Sequence, residues 1–260
     1  MASILFDRII FGPVYSRRLG LSLGINLLPP YEKVCTFDCF YCECGLTTNR
    51  ETNTEMMPTR EQVKNALYQS LEDMAANDND PDAITFTGNG EPTLHPDFEG
   101  IIDDTIEVKN IFFPDAEVAV LTNSTTIASP HIQRALSRVD KAILKFDSAL
   151  DSTIKTLNSP SAKIIAAELV NTLAQLDFDV LIQSMFMRFS YNGTVIDNTT
   201  EEELAAWLKA IEKIMPSEVQ VYTISRDTPE GHRVHKIPKK TLTEIAVRVE
   251  RLGIKTQVSA

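Results

Sequence analysis

The sequence predicts an α/β fold, on three observations. Short apolar runs recur along the chain, and each ends in loop residues. Between them lie stretches with apolar residues at three- and four-residue spacing, the mark of amphipathic helices. Helix-start and turn residues fall at the joins. Strands that alternate with helices in this way pair in parallel through right-handed crossovers. The pattern alone allows an open sheet or a barrel. A chain of 260 residues can bury a sizeable core, and no linker or low-complexity segment divides it, so a single domain over 1–260 is expected.

The elements follow in order. Residues 1–20 read as an extended lead-in. Leu21 to Leu28 is the first buried strand, stopped by Pro29-Pro30. A cysteine-bearing loop starts at its carboxyl end, where parallel α/β sheets place their chemistry. Pro58 to Ala76 is helical: Pro58 suits a first turn, Thr59-x-x-Gln62 reads as a capping box, and Val63, Leu67, Leu71 and Met74 form an apolar stripe. Ala83 to Phe86 is the second strand, Thr87 to Pro96 a loop, and Asp97 to Lys109 a helix. Strands at Val118–Leu121, Lys141–Phe146 and Val180–Met187 alternate with helices at Pro130–Arg138 and Ala162–Leu176. After an Asn192-Gly193 turn, Thr200 to Met215 is a helix with Glu203 three residues past its cap. Val219 to Ile224 is the sixth strand. Thr241 to Leu252 is a helix closed by Gly253, and Ile254 to Val258 a short last strand.

Composition narrows the class. Hydrophobic content of 43% and charged content of 23% are those of an ordinary globular protein. No apolar run approaches the length of a membrane span, and the first residues lack the charged and apolar regions of a secretory signal. No membrane association and a cytoplasmic location are therefore expected. Thiols stay reduced there, which suits cysteines used for metal. The Asn-x-Ser/Thr sites at Asn123, Asn192 and Asn198 are then chance matches. A net charge of −11 argues against broad adhesion to nucleic acid but leaves room for a local basic patch.

The chain is organised around Cys35, Cys39 and Cys42, spaced C-x3-C-x2-C, with Cys44 two residues on. Thiolates at short loop spacing can converge on one metal site. Zinc takes four ligands, usually in two separated clusters, and His95, His131, His232 and His235 lie far downstream without a tight second pair. Three cysteines can instead hold three irons of a [4Fe–4S] cube and leave the fourth iron to an outside ligand. On spacing alone, zinc and disulfides stay open as alternatives. The role of Cys44 is open too: a buried spare, a redox-sensitive thiol or a group near substrate.

Cys35, Cys39 and Cys42, with Tyr41 before the last, resemble the signature of the radical S-adenosylmethionine (SAM) superfamily. Phe11 to Gly20 upstream and Thr87 to Pro96 downstream resemble the subgroup related to tRNA wyosine-base synthases. Wyosine synthesis itself would call for an additional cluster on further cysteines, which this chain does not have to spare. The resemblance implies a partial (β/α)6 TIM-type barrel over 21–224, with the C-terminal basic loop, helix and short strand at 225–260. It implies a [4Fe–4S] cluster on Cys35, Cys39 and Cys42, with SAM at the open iron.

It also suggests SAM contacts. Tyr41 belongs to the signature. Gly88 and Gly90 resemble the loop that holds the methionyl amine, with Glu91 bracing it, although Asn89 separates the two glycines where the family pairs them. A plain turn is the alternative. Asn123, after the third strand, is a reader of ribose hydroxyls or of the SAM carboxylate, or simply a turn residue. Lys145, which alternation puts on the same face as Asp147, suits the SAM carboxylate or a structural ion pair with the neighbouring helix. Gln183 and Ser184 are polar in an apolar strand, one of them facing inward; Ser184 is taken as the contact. Tyr222 and Ile224 are walls for adenine or core.

Arg226 to Lys240 carries Arg226, Arg233, Lys236, Lys239 and Lys240, with His232 and His235, against Asp227 and Glu230. A solvated surface loop is one reading; a dock for an anionic substrate is the other. The expected function is reductive cleavage of SAM to methionine and a 5′-deoxyadenosyl radical that takes hydrogen from an unidentified substrate, RNA-linked or phosphorylated. The expected partner is a one-electron donor of flavodoxin or ferredoxin type. A glycyl-radical activase or peptide modifier is the second reading. A non-catalytic metal-binding protein is the rival of another class.

Overall fold

The computed structural model describes residues 4–47, 54–191, 193–225 and 234–260. Two compact units share the chain. One holds Leu5–Cys35 and Thr47–Ile143; the other holds Ile4, Thr36–Leu46 and Leu144–Ala260.

In the first unit the strands are β1 (Ile10–Ser16), β2 (Gly20–Ile25), β3 (Ala83–Phe86) and β4 (Glu117–Thr122), hydrogen-bonded in that order. β1 pairs antiparallel with β2; β2, β3 and β4 are parallel. Periodicity hides β1 because Val14 and Tyr15 are exposed, so no buried run marks it. The helices are α1 (Arg60–Ala76), α2 (Phe98–Phe112) and α3 (Pro130–Leu136). α1 begins as expected: the Thr59 hydroxyl accepts from the Gln62 N–H, and the Gln62 side chain accepts from the Thr59 N–H. Its stripe of Val63, Leu67, Leu71 and Met74 is buried, each large side chain contributing about 2 kcal/mol.

The second unit is entered through β5 (Lys141–Lys145). It continues with α4 (Asp151–Leu157), α5 (Ala166–Leu173), β6 (Leu181–Met185), β7 (Met187–Tyr191), β8 (Thr194–Asp197), α6 (Glu201–Ile214), β9 (Glu218–Tyr222), β10 (Val234–Lys236), α7 (Lys239–Glu250) and β11 (Lys255–Ser259). β5, β6, β9 and β11 are hydrogen-bonded in that order; β6 and β11 both pair in parallel with β9. β10, β7 and β8 form a separate antiparallel sheet.

Four details depart from the sequence reading. The strand predicted over Val180–Met187 stops at Met185, and Met187 opens a hairpin in which Met187 and Phe189 are buried and Arg188, Ser190 and Tyr191 exposed. Helix 162–176 is shorter, and α4 precedes it; α4 has only seven residues, too few to show a periodic stripe. Glu203 does not complete a capping box. Its N–H donates to the Thr200 hydroxyl, but its buried carboxylate accepts from the Ser148 and Thr153 hydroxyls. Val234–Lys236 are β10 and Lys239 and Lys240 open α7, with only 237–238 between them, while Arg226 to Arg233 lie outside the described residues, as does Asn192.

Candidate cluster and cofactor site

In the first unit the site is built where β2 and β3 end. Val34, the residue before Cys35, forms a parallel bridge with Gly90. The Val34 N–H donates to the Asn89 carbonyl at 2.9 Å, and the Glu91 N–H donates to the Val34 carbonyl at 3.0 Å. This bridge is why position 90 is glycine. Its φ is +139°, and a Cβ would stand 1.9 Å from the Val34 oxygen. Gly88 is held the same way, with φ +138° and the Asn26 amide oxygen 2.5 Å from where a Cβ would lie.

Asn89, the residue that separates the glycines, is fully buried. Its side chain donates to the carbonyls of Phe6 and Pro29 and accepts from the Phe6 N–H, each at 2.8 Å. It ties the lead-in and the post-β2 segment to the glycine loop. Sequence reasoning saw in it only a departure from the family pattern.

Glu91 is a buried anchor. Oε1 accepts from the Thr93 N–H, the Thr93 hydroxyl and the Thr122 hydroxyl; Oε2 accepts from the Asn123 N–H at 2.6 Å. Burial pushes its carboxyl up, against the pull of these four donors. Glu91 thereby fixes Asn123, whose side-chain amide lies 3.5 Å from the Cys35 sulfur as a donor. The Asn123 oxygen accepts from the N–H and hydroxyl of Thr125.

In the second unit the cysteine loop is held by the end of α4. The Asp38 N–H donates to the Asn158 carbonyl and the Phe40 N–H to the Leu157 carbonyl, both at 2.9 Å, on either side of Cys39. Phe40 stacks on Phe189 of β7, with ring centroids 4.5 Å apart. Tyr41 packs with Leu157, Met187, Phe189, Ile224 and Val234. Its hydroxyl donates to Asp147 Oδ2 at 2.6 Å. Burial and the Asp147 charge hold the phenol well above its ordinary range, so Tyr41 is a neutral donor.

Lys145 and Asp147 form an ion pair with each other, Nζ to Oδ1 3.1 Å. Asp147 also accepts from the Met185 N–H at 2.8 Å and from the Asn158 amide at 3.0 Å. Lys145 donates to the Tyr222 hydroxyl at 2.7 Å and lies over the Tyr41 and Tyr222 rings at 4.9 and 5.0 Å. Burial opposes its charge, but Asp147 and Tyr222 more than offset that, so its pKa is raised. The Tyr222 hydroxyl donates to the Gln183 amide oxygen at 3.1 Å.

Ser184 is a correction. It is fully buried; its hydroxyl donates to the Phe146 carbonyl and accepts from the Trp207 indole N–H at 3.0 Å. It joins β6 to α6. Strand alternation turns Gln183, the other polar residue of the pair, toward Tyr222. Asn158 was not found from the sequence, where it is one polar residue in a loop.

The donors suit an iron–sulfur cluster. None of the four cysteines is in a disulfide. Two of the three signature sulfurs face side-chain amide donors, Cys35 toward Asn123 and Cys39 toward Asn158. Burial, with the charge of Cys42, pushes the Cys39 thiol up to about 11, so taking iron requires it to release a proton. Among the described residues no three His, Cys, Asp or Glu side chains are close enough to share one metal ion; a cube puts each thiolate on a different iron.

A family model described as the radical SAM superfamily matches residues 33–211. A protein named GTPase Obg in Brachyspira hyodysenteriae is 32% identical over 219 residues, which are 84% of this chain but 30% of that protein. This chain thus spans under a third of that relative's length. A UPF0026 protein of Methanocaldococcus jannaschii is 28% identical over 247 residues, 91% of this chain and 70% of that one. The crystal structure of a radical SAM methyltransferase from Sphaerobacter thermophilus superposes with a TM-score of 0.65 at 12% identity, covering 92% of this chain and 65% of that one. That likeness shows the fold class, the α/β partial barrel expected from the sequence. Because the family match runs through well over half of its length, this chain belongs to the radical SAM superfamily of enzymes, whose members bind a [4Fe–4S] cluster and S-adenosylmethionine.

Proposed function

We propose that Cys35, Cys39 and Cys42 hold three irons of one [4Fe–4S] cluster, that SAM binds at the fourth, and that the enzyme abstracts hydrogen from a substrate. The observation that carries this reading is the meeting of Cys35 with the glycine loop. Val34 is bridged to Gly90, and Asn123, fixed by Glu91, donates to the Cys35 sulfur. Residues from two loops that the resemblance linked to SAM, Gly88–Glu91 and Asn123, thus meet at a signature cysteine.

When bound, the cluster supplies the electron that cleaves SAM to methionine and a 5′-deoxyadenosyl radical. The protein's own residues have narrower tasks. Gly88 and Gly90 offer backbone carbonyls to the methionyl amine. Lys145 offers a cation to the SAM carboxylate, with Asp147 holding it charged. Tyr222 and Tyr41 flank that cation and exclude water from it.

The substrate we propose is anionic. Lys236 and His235 are exposed on β10, and Lys239 and Lys240 on the first turn of α7. The three lysines form a local group of cations in a chain of net charge −11. We further propose a cytoplasmic enzyme served by a one-electron donor of flavodoxin or ferredoxin type. No helix among the described residues is long and apolar enough to cross a membrane.

Anaerobic reconstitution with iron and sulfide tests the reading. Four irons per chain and reductive cleavage of SAM to 5′-deoxyadenosine support it. One zinc per chain with no cleavage would reject it in favour of a metal-binding protein.

A further inference from the structure

Asn158 has no role in the signature, yet it stands at the centre of the second unit's polar network. It caps α4, where its N–H donates to the Ile154 carbonyl, and its carbonyl accepts from the Asp38 N–H, both at 2.9 Å. Its side chain is buried, 3% exposed for the residue. The amide nitrogen lies 3.4 Å from the Cys39 sulfur, 3.0 Å from Asp147 Oδ2 and 3.3 Å from the Tyr41 hydroxyl.

An amide NH2 has two hydrogens and no acceptor capacity. The Tyr41 hydroxyl spends its own hydrogen on Asp147. Its oxygen can still accept from Asn158 at 3.3 Å, so two amide hydrogens face three acceptors, of which the Asp147 carboxylate and a Cys39 thiolate would carry charge and accept most strongly. One rigid group thus touches a signature sulfur with one N–H and the counterion of Lys145 with the other. Both backbone groups of Asn158 are engaged as well, which fixes the backbone from which the amide reaches Cys39 and Asp147.

Hydrogen bonds to ligand sulfurs stabilise the more negative, reduced form of an iron–sulfur cluster and raise its potential. We propose that Asn158 is a positioning residue that raises the reduction potential of the cluster through Cys39 and holds Cys39 in fixed relation to the Lys145–Asp147 pair. This rests on the reading that Cys39 is a cluster ligand. Asn123 makes a like contact to Cys35 at 3.5 Å, but it is bound to Glu91 rather than to the Lys145 network.

The test uses the full chain, reconstituted anaerobically as wild type, Asn158→Leu and Asn158→Ser. Leucine keeps the volume and removes both donors; serine keeps one hydroxyl donor on a shorter arm. Iron per chain and circular dichroism are measured first. The proteins are then titrated with dithionite and mediators while the reduced cluster is followed by electron paramagnetic resonance. The expected result is four irons in each variant, a lower midpoint than wild type, and a larger fall for leucine than for serine. A wild-type midpoint in a variant that holds four irons overturns the proposal and leaves the proposed function standing. If Asn158→Leu does not fold, the serine variant decides by the same criterion. A wild type that takes up no cluster would overturn the proposed function, and this inference with it.

Discussion

Lys145 and Asp147 lie two residues apart on one face of the chain at the end of β5 and pair with each other. Nζ is 3.1 Å from Oδ1, with the lysine side chain 15% exposed and the aspartate 0%. A buried pair of this kind is costly to break on one side, because the remaining charge is left without a partner. The aspartate is further satisfied by Tyr41, Asn158 and Met185. Lysine at this position is therefore both a structural partner and, in the proposed function, a SAM ligand.

Lys145→Met should lower the stability of the iron-free protein by about 3–5 kcal/mol. In Lys145→Met/Asp147→Leu, where neither charge remains, the loss should be smaller than the sum of the single effects. Urea unfolding of the four proteins measures this. Strict additivity would show that the pair is not coupled. A folded Lys145→Met protein should still take up iron but bind SAM more weakly, as read by equilibrium dialysis.

The cysteines give a sharper count. Cys35→Ala, Cys39→Ala and Cys42→Ala should each bring iron content after reconstitution close to zero, whereas Cys44→Ala should keep four irons per chain. Loss of iron from Cys44→Ala would mean that the fourth iron is not open to SAM.

What the sequence made legible was local. The Thr59–Gln62 box, the α1 stripe and the β3 run at Ala83–Phe86 each depend on neighbours in the chain, and the structure has them where expected. The C-x3-C-x2-C run and the Gly88–Glu91 segment are contiguous for the same reason. What stayed hidden depends on distant partners. Asn158 meets Cys39 across 119 residues, and Asn89 meets Phe6 across 83. Neither contact leaves a trace in periodicity. Ser184 and Gln183 show the limit within a strand: alternation says that they face opposite ways but not which way. That was decided by Trp207 on one side and Tyr222 on the other.

His95 makes a prediction about acidity. It is buried, its Nε2 lies 2.7 Å from the Pro58 carbonyl, and its Nδ1 accepts from the Asp97 N–H at 3.1 Å. The neutral ring with hydrogen on Nε2 fits both partners, and a second proton on Nδ1 would break the Asp97 bond. Burial accordingly holds its pKa below the ordinary 6.5, although the Pro58 carbonyl and Asp97 act the other way. The unfolded chain then binds that proton more readily than the folded one. The contribution of His95 to stability is whole above about pH 6.5 and is lost as the pH falls toward the lower folded value. His95→Gln keeps an N–H for the Pro58 carbonyl and has no proton to gain. Its melting temperature should be lower at pH 7.5, yet drop less than wild type between pH 7.5 and 5.5. Parallel pH profiles for the two proteins would reject the assignment.

Gly90 offers the most direct test of how the cysteine loop is seated. Its φ of +139° is one that side chains rarely adopt, and an added Cβ would meet the Val34 carbonyl oxygen at 1.9 Å, with the Leu28 side chain next at 3.1 Å. The oxygen belongs to backbone held by the Glu91 N–H, so it cannot move aside as a flexible side chain would. Backbone strain alone costs about 1–3 kcal/mol at such a position, and the clash adds to it. Gly253 supplies the control. Its φ is +81°, but nothing lies within 4 Å of the added carbon, so Gly253→Ala carries strain without collision. Gly90→Ala should therefore be the less stable of the two in urea. It should also displace Val34 and with it Cys35, and lose iron faster than wild type when the reconstituted protein is challenged with a chelator. Gly253→Ala should lose iron at the wild-type rate. Equal iron retention by Gly90→Ala and wild type would show that the bridge between Val34 and Gly90 does not hold the first cysteine in place.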